Sequence, residues 1–304
     1  MWYVPAAMES RRLYKGDRAG ARVSRAKPAP RVRPARGAAL HVEIVVVGRE
    51  ILRGQVADTN SANIAADLSR RGALVHRVTV VDDRETVIAR AVTEAIERGA
   101  ALVVTTGGLG PTTDDCTLVA VGDALGVPLA IHPHATEQVE TALRRLKESG
   151  VVTRTGLTPA REKLCAIPVG SEPIHNPIGV SPGILAKLPA GARVACLPGA
   201  PGECAAVWEE VARRIKELQT SWSHARREVE APTADESALQ PMLVQLHREF
   251  PGVWIKTYAP RPGKVARGHG IRLTFEAFAP TEHEAEIAVD GAVRRLLAIA
   301  GARG

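Results

Sequence analysis

The sequence predicts an α/β protein: a mostly parallel sheet with helices on both faces, followed by a small α+β unit of ferredoxin-like arrangement. Three observations carry this. Short β-branched runs ending in glycine alternate with amphipathic stretches from His41 onward, the order expected of parallel strands joined by helical crossovers. The apolar fraction is 45% while aromatics are only 3%, so the core is aliphatic, as suits strands buried on both faces. Beyond about residue 222 the order changes to strand, helix, strand, strand, helix, a split β-α-β unit.

Element by element, HVEIVVVG (41–48) reads as a buried strand. Asp58 or Thr59 can cap a helix that runs to about Arg71, with Ile64, Ala65 and Leu68 on one face and Gly72 closing it. Residues 73–81 form a second strand. Asp82 and Asp83 precede a helix carrying Val87, Ile88, Ala91, Val92, Ala95 and Ile96 at helical spacing, and Gly99 ends it. A third strand, 101–106, runs into GGLGPTTDD and a helix from Cys116 to Leu125. A further helix spans about Pro133–Ser149, and Leu164–Pro168, Gly183–Leu188 and Arg193–Leu197 are short strands. A helix from Gly202 to about Gln219 completes the first domain, 41–222. The second, 223–304, holds strand 226–231, helix 235–249, strands 252–259 and 269–279, and helix 282–299.

The 304 residues carry a net charge of +7, but its location speaks against a nucleic-acid-binding body. Residues 1–40 hold ten Lys/Arg and two Asp/Glu, leaving 30 basic and 31 acidic residues for the remainder. This Arg-, Ala- and Pro-rich stretch reads as a disordered basic tail. A transit peptide, residues upstream of the true start and a nucleic-acid-binding arm are its competing readings. Cys116, Cys165, Cys196 and Cys204 form no C-x-x-C pair and read as free thiols. No apolar run reaches the roughly 18–20 residues of a membrane span, so a soluble, cytoplasmic protein is expected.

The chemistry concentrates in the loop from Thr105 to Asp115. A loop that leaves the carboxyl end of a strand and opens a helix offers unpaired backbone amides to an anion. Gly107, Gly108 and Gly110 let that backbone turn tightly and approach a ligand. The spacing fits neither G-x-G-x-x-G nor the P-loop. Thr106, Gly107, Gly108, Leu109, Gly110 and Thr112 are therefore the candidate phosphate-binding residues. Asp114 and Asp115 are placed in the first helical turn, where they cap amides or hold a divalent metal such as Mg²⁺ against substrate oxygens. Both are candidate metal ligands and catalytic residues. Glu50 and Asp58, on the loop after the first strand, are candidates to position a water, with a surface ion pair and a helix cap as their plainer roles. Asn60, Asn176, Gly179, Pro198, Gly199 and Glu203 come from three further loops and are candidate ligand contacts.

Four strings in one order resemble the CinA-type (competence/damage-inducible) branch of the molybdopterin-binding, MoaB/MogA-like family. They are Gly48–Asn60, Thr106–Asp115 as T-G-G-L-G-P-T-x-D-D, Asn176–Gly183 as N-P-x-G-x-x-P-G, and Leu197–Glu203 as L-P-G-x-P-x-E. The resemblance implies a MogA-like fold, a homo-oligomer, and a pocket for a small-molecule nucleotide or pterin lined by the Gly loop and the Asp114/Asp115 pair. It further implies metal-dependent hydrolysis of a nucleotide pyrophosphate such as ADP-ribose, with a non-hydrolytic molybdopterin- or nucleotide-binding protein linked to cofactor biosynthesis as the alternative. Nicotinamide-mononucleotide deamidation belongs to a separate C-terminal domain in that family and is not expected of these residues. Arg49 and Arg53 depart from the family pattern and add cations beside the pocket.

Overall fold

Why the first strand is buried on both faces is visible in its alternation. In the computed structural model, which describes residues 40–189, 191–218, 222–231, 233, 235–258 and 270–301, β1 is His41–Val47. Val42, Ile44 and Val46 enter one hydrophobic cluster, and Val45 and Val47 enter another on the opposite face. The strands β3 (Leu102–Thr106) and β8 (Arg193–Leu197) divide in the same way: Leu102, Val104, Ala195 and Leu197 face one side, Val103, Val194 and Cys196 the other. Burying each of these aliphatic side chains contributes about 1.5–3 kcal/mol.

Around them stand β2 (Leu74–Val81), β6 (Glu172–Ile174) and β7 (Gly183–Lys187), giving a six-stranded sheet of order β2-β1-β3-β8-β7-β6. The first four are parallel, and β7 and β6 each run antiparallel to the neighbour before them. One face is covered by α2 (Asn60–Arg70) and α7 (Pro201–Arg214), the other by α3 (Glu85–Glu97) and α4 (Thr117–Leu125). A four-residue helix α1 (Arg49–Leu52) follows β1. The chain leaves β1 toward β2 on one side and returns to β3 on the other, so β1/β3 is the topological switch point where open sheets bind ligands.

The segment after α4 departs from the expected pattern. Leu164–Pro168 does not join the main sheet. Residues 163–165 form a single 3₁₀ turn after α6 (Pro159–Glu162), and β5 (Ala166–Pro168) pairs antiparallel with β4 (Leu129–Ile131) in a separate two-stranded ladder. The expected strand is thus present in its last three residues, while its partner β4, also three residues long, is too short for periodicity to reveal. Between them lies α5 (Pro133–Glu148), whose Val139 and Leu143 pack on Leu164 and Cys165.

At the C-terminal side, β9 (Ser223–Glu230), α8 (Glu236–Glu249), β10 (Val253–Tyr258), β11 (Arg272–Ala279) and α9 (Glu282–Gly301) build a three-stranded antiparallel sheet of order β10-β11-β9. This is the split β-α-β arrangement, with its own core around Phe275, Leu273, Leu246 and Leu296. The expected strand 226–231 begins three residues earlier, at Ser223. Residues 259 and 269 of the two neighbouring expected strands lie outside the described residues, as do Gln219 and the basic tail through residue 39. The described residues all fall in one compact unit. All four cysteines are free, and burial pushes the thiols of Cys196 and Cys204 up to about 12, far from a reactive thiolate. Among the described residues no helix is long and apolar enough to cross a membrane.

Candidate functional site

The register of the sheet brings the sequence motifs to one edge. Val46 pairs with Thr106 and Thr106 with Leu197, so the chain leaves β1, β3 and β8 side by side. The antiparallel β7 starts at that same edge, so the 175–182 loop joins them. The Gly loop, the 180–181 turn and the 198–203 loop together wall a cleft of about 400 Å³. That volume lies within the ~300–1,000 Å³ of small-molecule sites. Its lining includes Gly108, Leu109, Gly110, Asp115, Ser181, Pro198, Gly199 and Glu203.

Gly107 and Gly108 both have positive φ, +94° and +69°. A Cβ on Gly107 would strike the Val47 carbonyl oxygen, and one on Gly108 the Thr117 hydroxyl, so neither position tolerates a side chain. The two are held in place: the Gly107 amide donates to Leu197 O at 3.0 Å, and Thr117 donates from its amide to Gly108 O (3.1 Å) and from its hydroxyl to Gly107 O (2.8 Å). The Gly107 amide is thus spent on the sheet and is not available to an anion. Among the described residues the amides of Gly108, Leu109 and Gly110 have no acceptor. Thr106, 1% exposed inside β3, supports the loop from below and does not border the cleft.

The acidic pair does not stand in the first helical turn. Helix α4 begins at Thr117, and Asp114 and Asp115 sit in the turn before it. Their carboxylates fold back onto the loop and cap Thr112 in place of the helix. Thr112 donates from its amide to Asp115 Oδ2 at 2.9 Å, and its hydroxyl lies 2.6 Å from that atom and 2.5 Å from Asp114 Oδ1. This hydroxyl contact, with the fields of Lys163 and Arg49 further off, holds the Asp114 carboxyl below its usual range. Among the described residues no three His, Cys, Asp or Glu side chains converge as a metal cage.

Asp58 caps α2: Ser61 donates its amide to Asp58 Oδ1 at 3.0 Å and its hydroxyl to Oδ2, while Thr59 makes no side-chain cap. Both Asp58 oxygens are therefore already occupied by the helix start. Glu50 is exposed on α1, with its carboxylate folded over Gly48, and no ion pair is formed by it among the described residues. Arg49 donates to Asp82 (Nε to Oδ1, 2.6 Å) and its amide to Asp83 (2.7 Å), so it ties two loops together and its charge is largely met there.

Asn60 and Asn176 are positioning residues. The Asn60 carboxamide donates to Gly199 O at 2.8 Å. Asn176, 4% exposed, donates to Ser181 O (2.8 Å) and Glu203 Oε2 (2.7 Å) and accepts from the amides of Ile178 and Gly179 (3.1 and 2.9 Å). A Cβ on Gly179 would collide with the Glu203 carboxylate, which explains the glycine there. Asn176 and Gly179 thus shape the wall without bordering the cleft. Two cations complete the setting. Arg145 of α5 donates to the carbonyls of Pro177, Ile178 (2.7 Å) and Gly179 (3.3 Å), and the Lys163 ammonium donates to Thr112 O. Neither is among the residues that the sequence motifs single out.

Residues 43–217 match the family described as probable molybdopterin binding domain. The chain belongs to this family. The chain is 34% identical to a protein of Pyrobaculum calidifontis, covering 84% of this chain and 93% of that one. It is 33% identical to a protein of Pyrococcus furiosus, covering 83% and 95% of the two. Among solved structures it resembles CinA from Thermoplasma acidophilum, described as a protein of unknown function. The identity is 35% and the TM-score 0.52, over 58% of this chain and 98% of that one. The family match begins within β1 and ends after α7, and so takes in all four motifs, three of which line the cleft.

Proposed function

We propose that this protein binds a phosphate-bearing pterin or nucleotide, with the phosphate on the amides of Gly108, Leu109 and Gly110. One observation carries the reading: those three donors have no partner among the described residues and open on a cleft of about 400 Å³ at the sheet's switch point. Family membership supports a ligand of this class. Glu203 and the Asp115 carboxylate stand on the same cleft and face the polar part of the ligand. The test is a thermal-shift and calorimetric panel of AMP, ADP-ribose and pterins. A selective, saturable rise in Tm is expected, since a ligand of the native state stabilises it by mass action. Indifference to every phosphate-bearing ligand would refute the reading.

A second reading, metal-assisted hydrolysis of a nucleotide pyrophosphate, rests on the Thr112 hydroxyl. Its single proton serves one of two carboxylate oxygens, at 2.5 and 2.6 Å; Asp115 Oδ2 keeps the Thr112 amide in either case, so Asp114 Oδ1 loses its donor when the hydroxyl turns to Asp115. A divalent cation fits that need in the Mg²⁺ manner, with one or two carboxylates and the rest from substrate phosphates. Asp114 and Asp115 would hold it, and it would supply charge neutralisation at the phosphates. The residues' own part is to orient the phosphate at the loop amides and keep the acid pair beside it. Turnover of ADP-ribose with Mg²⁺, Mn²⁺ or Co²⁺ tests this reading, and binding without turnover leaves the first reading standing alone. A cytoplasmic homo-oligomer belongs to the same proposal, and light scattering on the purified protein checks the assembly.

A further inference from the structure

Lys163 is the feature of the loop that a simple cradle of amides does not account for. It stands where α6 passes into the 3₁₀ turn, and its two successors, Leu164 and Cys165, are buried against Val139 and Leu143 of α5. Its backbone is therefore fixed, and its half-buried stem crosses to the Gly loop, where the ammonium donates to Thr112 O. Together with Gly108, Leu109, Gly110 and Asp115 it lines a small hollow of about 40 Å³ beneath the loop. Among the described residues no carboxylate lies within ion-pair distance of it. Two other cations of this edge are engaged, Arg49 by Asp82 and Arg145 by three carbonyls. An ammonium has three donors, and one neutral carbonyl satisfies one of them. Its field reaches the Asp114 carboxylate, but no carboxylate among the described residues pairs with it directly, so donors are left for an anion.

Resting on the pocket reading above, we propose that Lys163, which stands outside the lining of the larger cleft but shares Gly108, Leu109, Gly110 and Asp115 with it, is a specificity-determining residue: the cation that, with the Gly108–Gly110 amides, selects ligands carrying phosphate. The anion that pairs with it directly is the ligand's own phosphate. The Thr112 carbonyl holds the ammonium in place until the phosphate arrives.

The experiment compares AMP and inorganic pyrophosphate binding to the full chain and to Lys163→Met and Lys163→Arg by calorimetry, at about 50 and about 500 mM NaCl. Loss of one charge-assisted hydrogen bond is expected to weaken AMP about 10- to 100-fold in Lys163→Met at low salt. The salt dependence of AMP affinity should shrink in that variant, and Lys163→Arg should retain most of the affinity. A merely structural Lys163 predicts an equal-fold loss at both salt concentrations. That result, or equal AMP affinity in wild type and Lys163→Met, overturns the role of Lys163 and leaves the pocket reading intact. Failure of the wild type to bind either probe overturns both. Melting curves of the two variants show whether they are folded, and Lys163→Arg carries the test if Lys163→Met is not.

Discussion

Thr112 and Asp115 are joined twice through one atom: the Thr112 amide and hydroxyl both reach Asp115 Oδ2, at 2.9 and 2.6 Å. Asp115 consequently shapes the Gly loop whether or not it holds a cation, and Asp115→Ala confounds the two roles. The informative pair is Asp115→Asn with Thr112→Val. If Asp115 only shapes the loop, both variants weaken nucleotide binding by a similar factor, and added Mg²⁺ changes neither. If it also holds the metal, Asp115→Asn alone abolishes the Mg²⁺ dependence of the dissociation constant. Calorimetry with and without Mg²⁺ separates the outcomes.

Asn176 uses its carboxamide on four partners from the loop it closes and from α7. Asn176→Ala should therefore cost about 2–3 kcal/mol in urea denaturation, because buried donors and acceptors are left unpaired. Ligand affinity should fall with it, since the Val180–Ser181 wall loses its anchor. Full affinity in a destabilised Asn176→Ala protein would mean that the wall is not part of the site.

How far the site was legible depended on where each residue's partner lies. The Gly loop could be read because its constraints are local: Gly107 and Gly108 need positive φ within a few residues of the strand end. The placement of Asp114 and Asp115 in the helix failed because Thr112, two and three residues back, competes for their oxygens and delays the helix to Thr117. Lys163 and Arg145 were invisible, since their acceptors are 51 and 32–34 residues away, and without them an isolated basic side chain looks like solvated surface. The main sheet could be read from apolar runs in β1, β3 and β8; of the β4/β5 ladder the β5 half was read within 164–168, whereas its three-residue partner β4 gave no pattern to find.

Gly126 offers a control for the Gly loop. It too has a positive φ, +69°, but nothing lies within 4 Å of where its Cβ would be. Gly126→Ala should cost about 1 kcal/mol, the strain of a left-handed residue alone. Gly107→Ala adds the collision with Val47 O and should cost about 3 kcal/mol, or prevent folding. Equal melting temperatures for the two variants would mean that the β1 and β3 ends are not packed as described.

At the opposite end of the sheet, Glu43 is 3% exposed in β1 and meets Arg98 through bonds of 2.7, 3.0 and 3.3 Å. Burial opposes its ionisation, but the Arg98 bonds outweigh burial and hold its carboxyl below the ordinary 4.5. His41 lies 3.5 Å from Glu43, and its ring is tilted against that of His76 with centroids 4.1 Å apart; burial first, then His76, moves its imidazole below the ordinary 6.5. The signs agree. In both cases the unfolded chain takes up a proton more readily than the folded one, so each contribution is complete above the unfolded value and is lost as pH falls. Stability should begin to decline on passing below 6.5, as His41 titrates, and steepen below 4.5, as Glu43 does. Urea denaturation between about pH 8 and about pH 4 measures the two slopes. His41→Phe should flatten the first, and Glu43→Gln should lower stability by about 3 kcal/mol at neutral pH by leaving Arg98 without its charge partner. A wild-type profile that rises toward acid between pH 6.5 and 4.5 would contradict the assignment of His41 and the packing of its ring on His76.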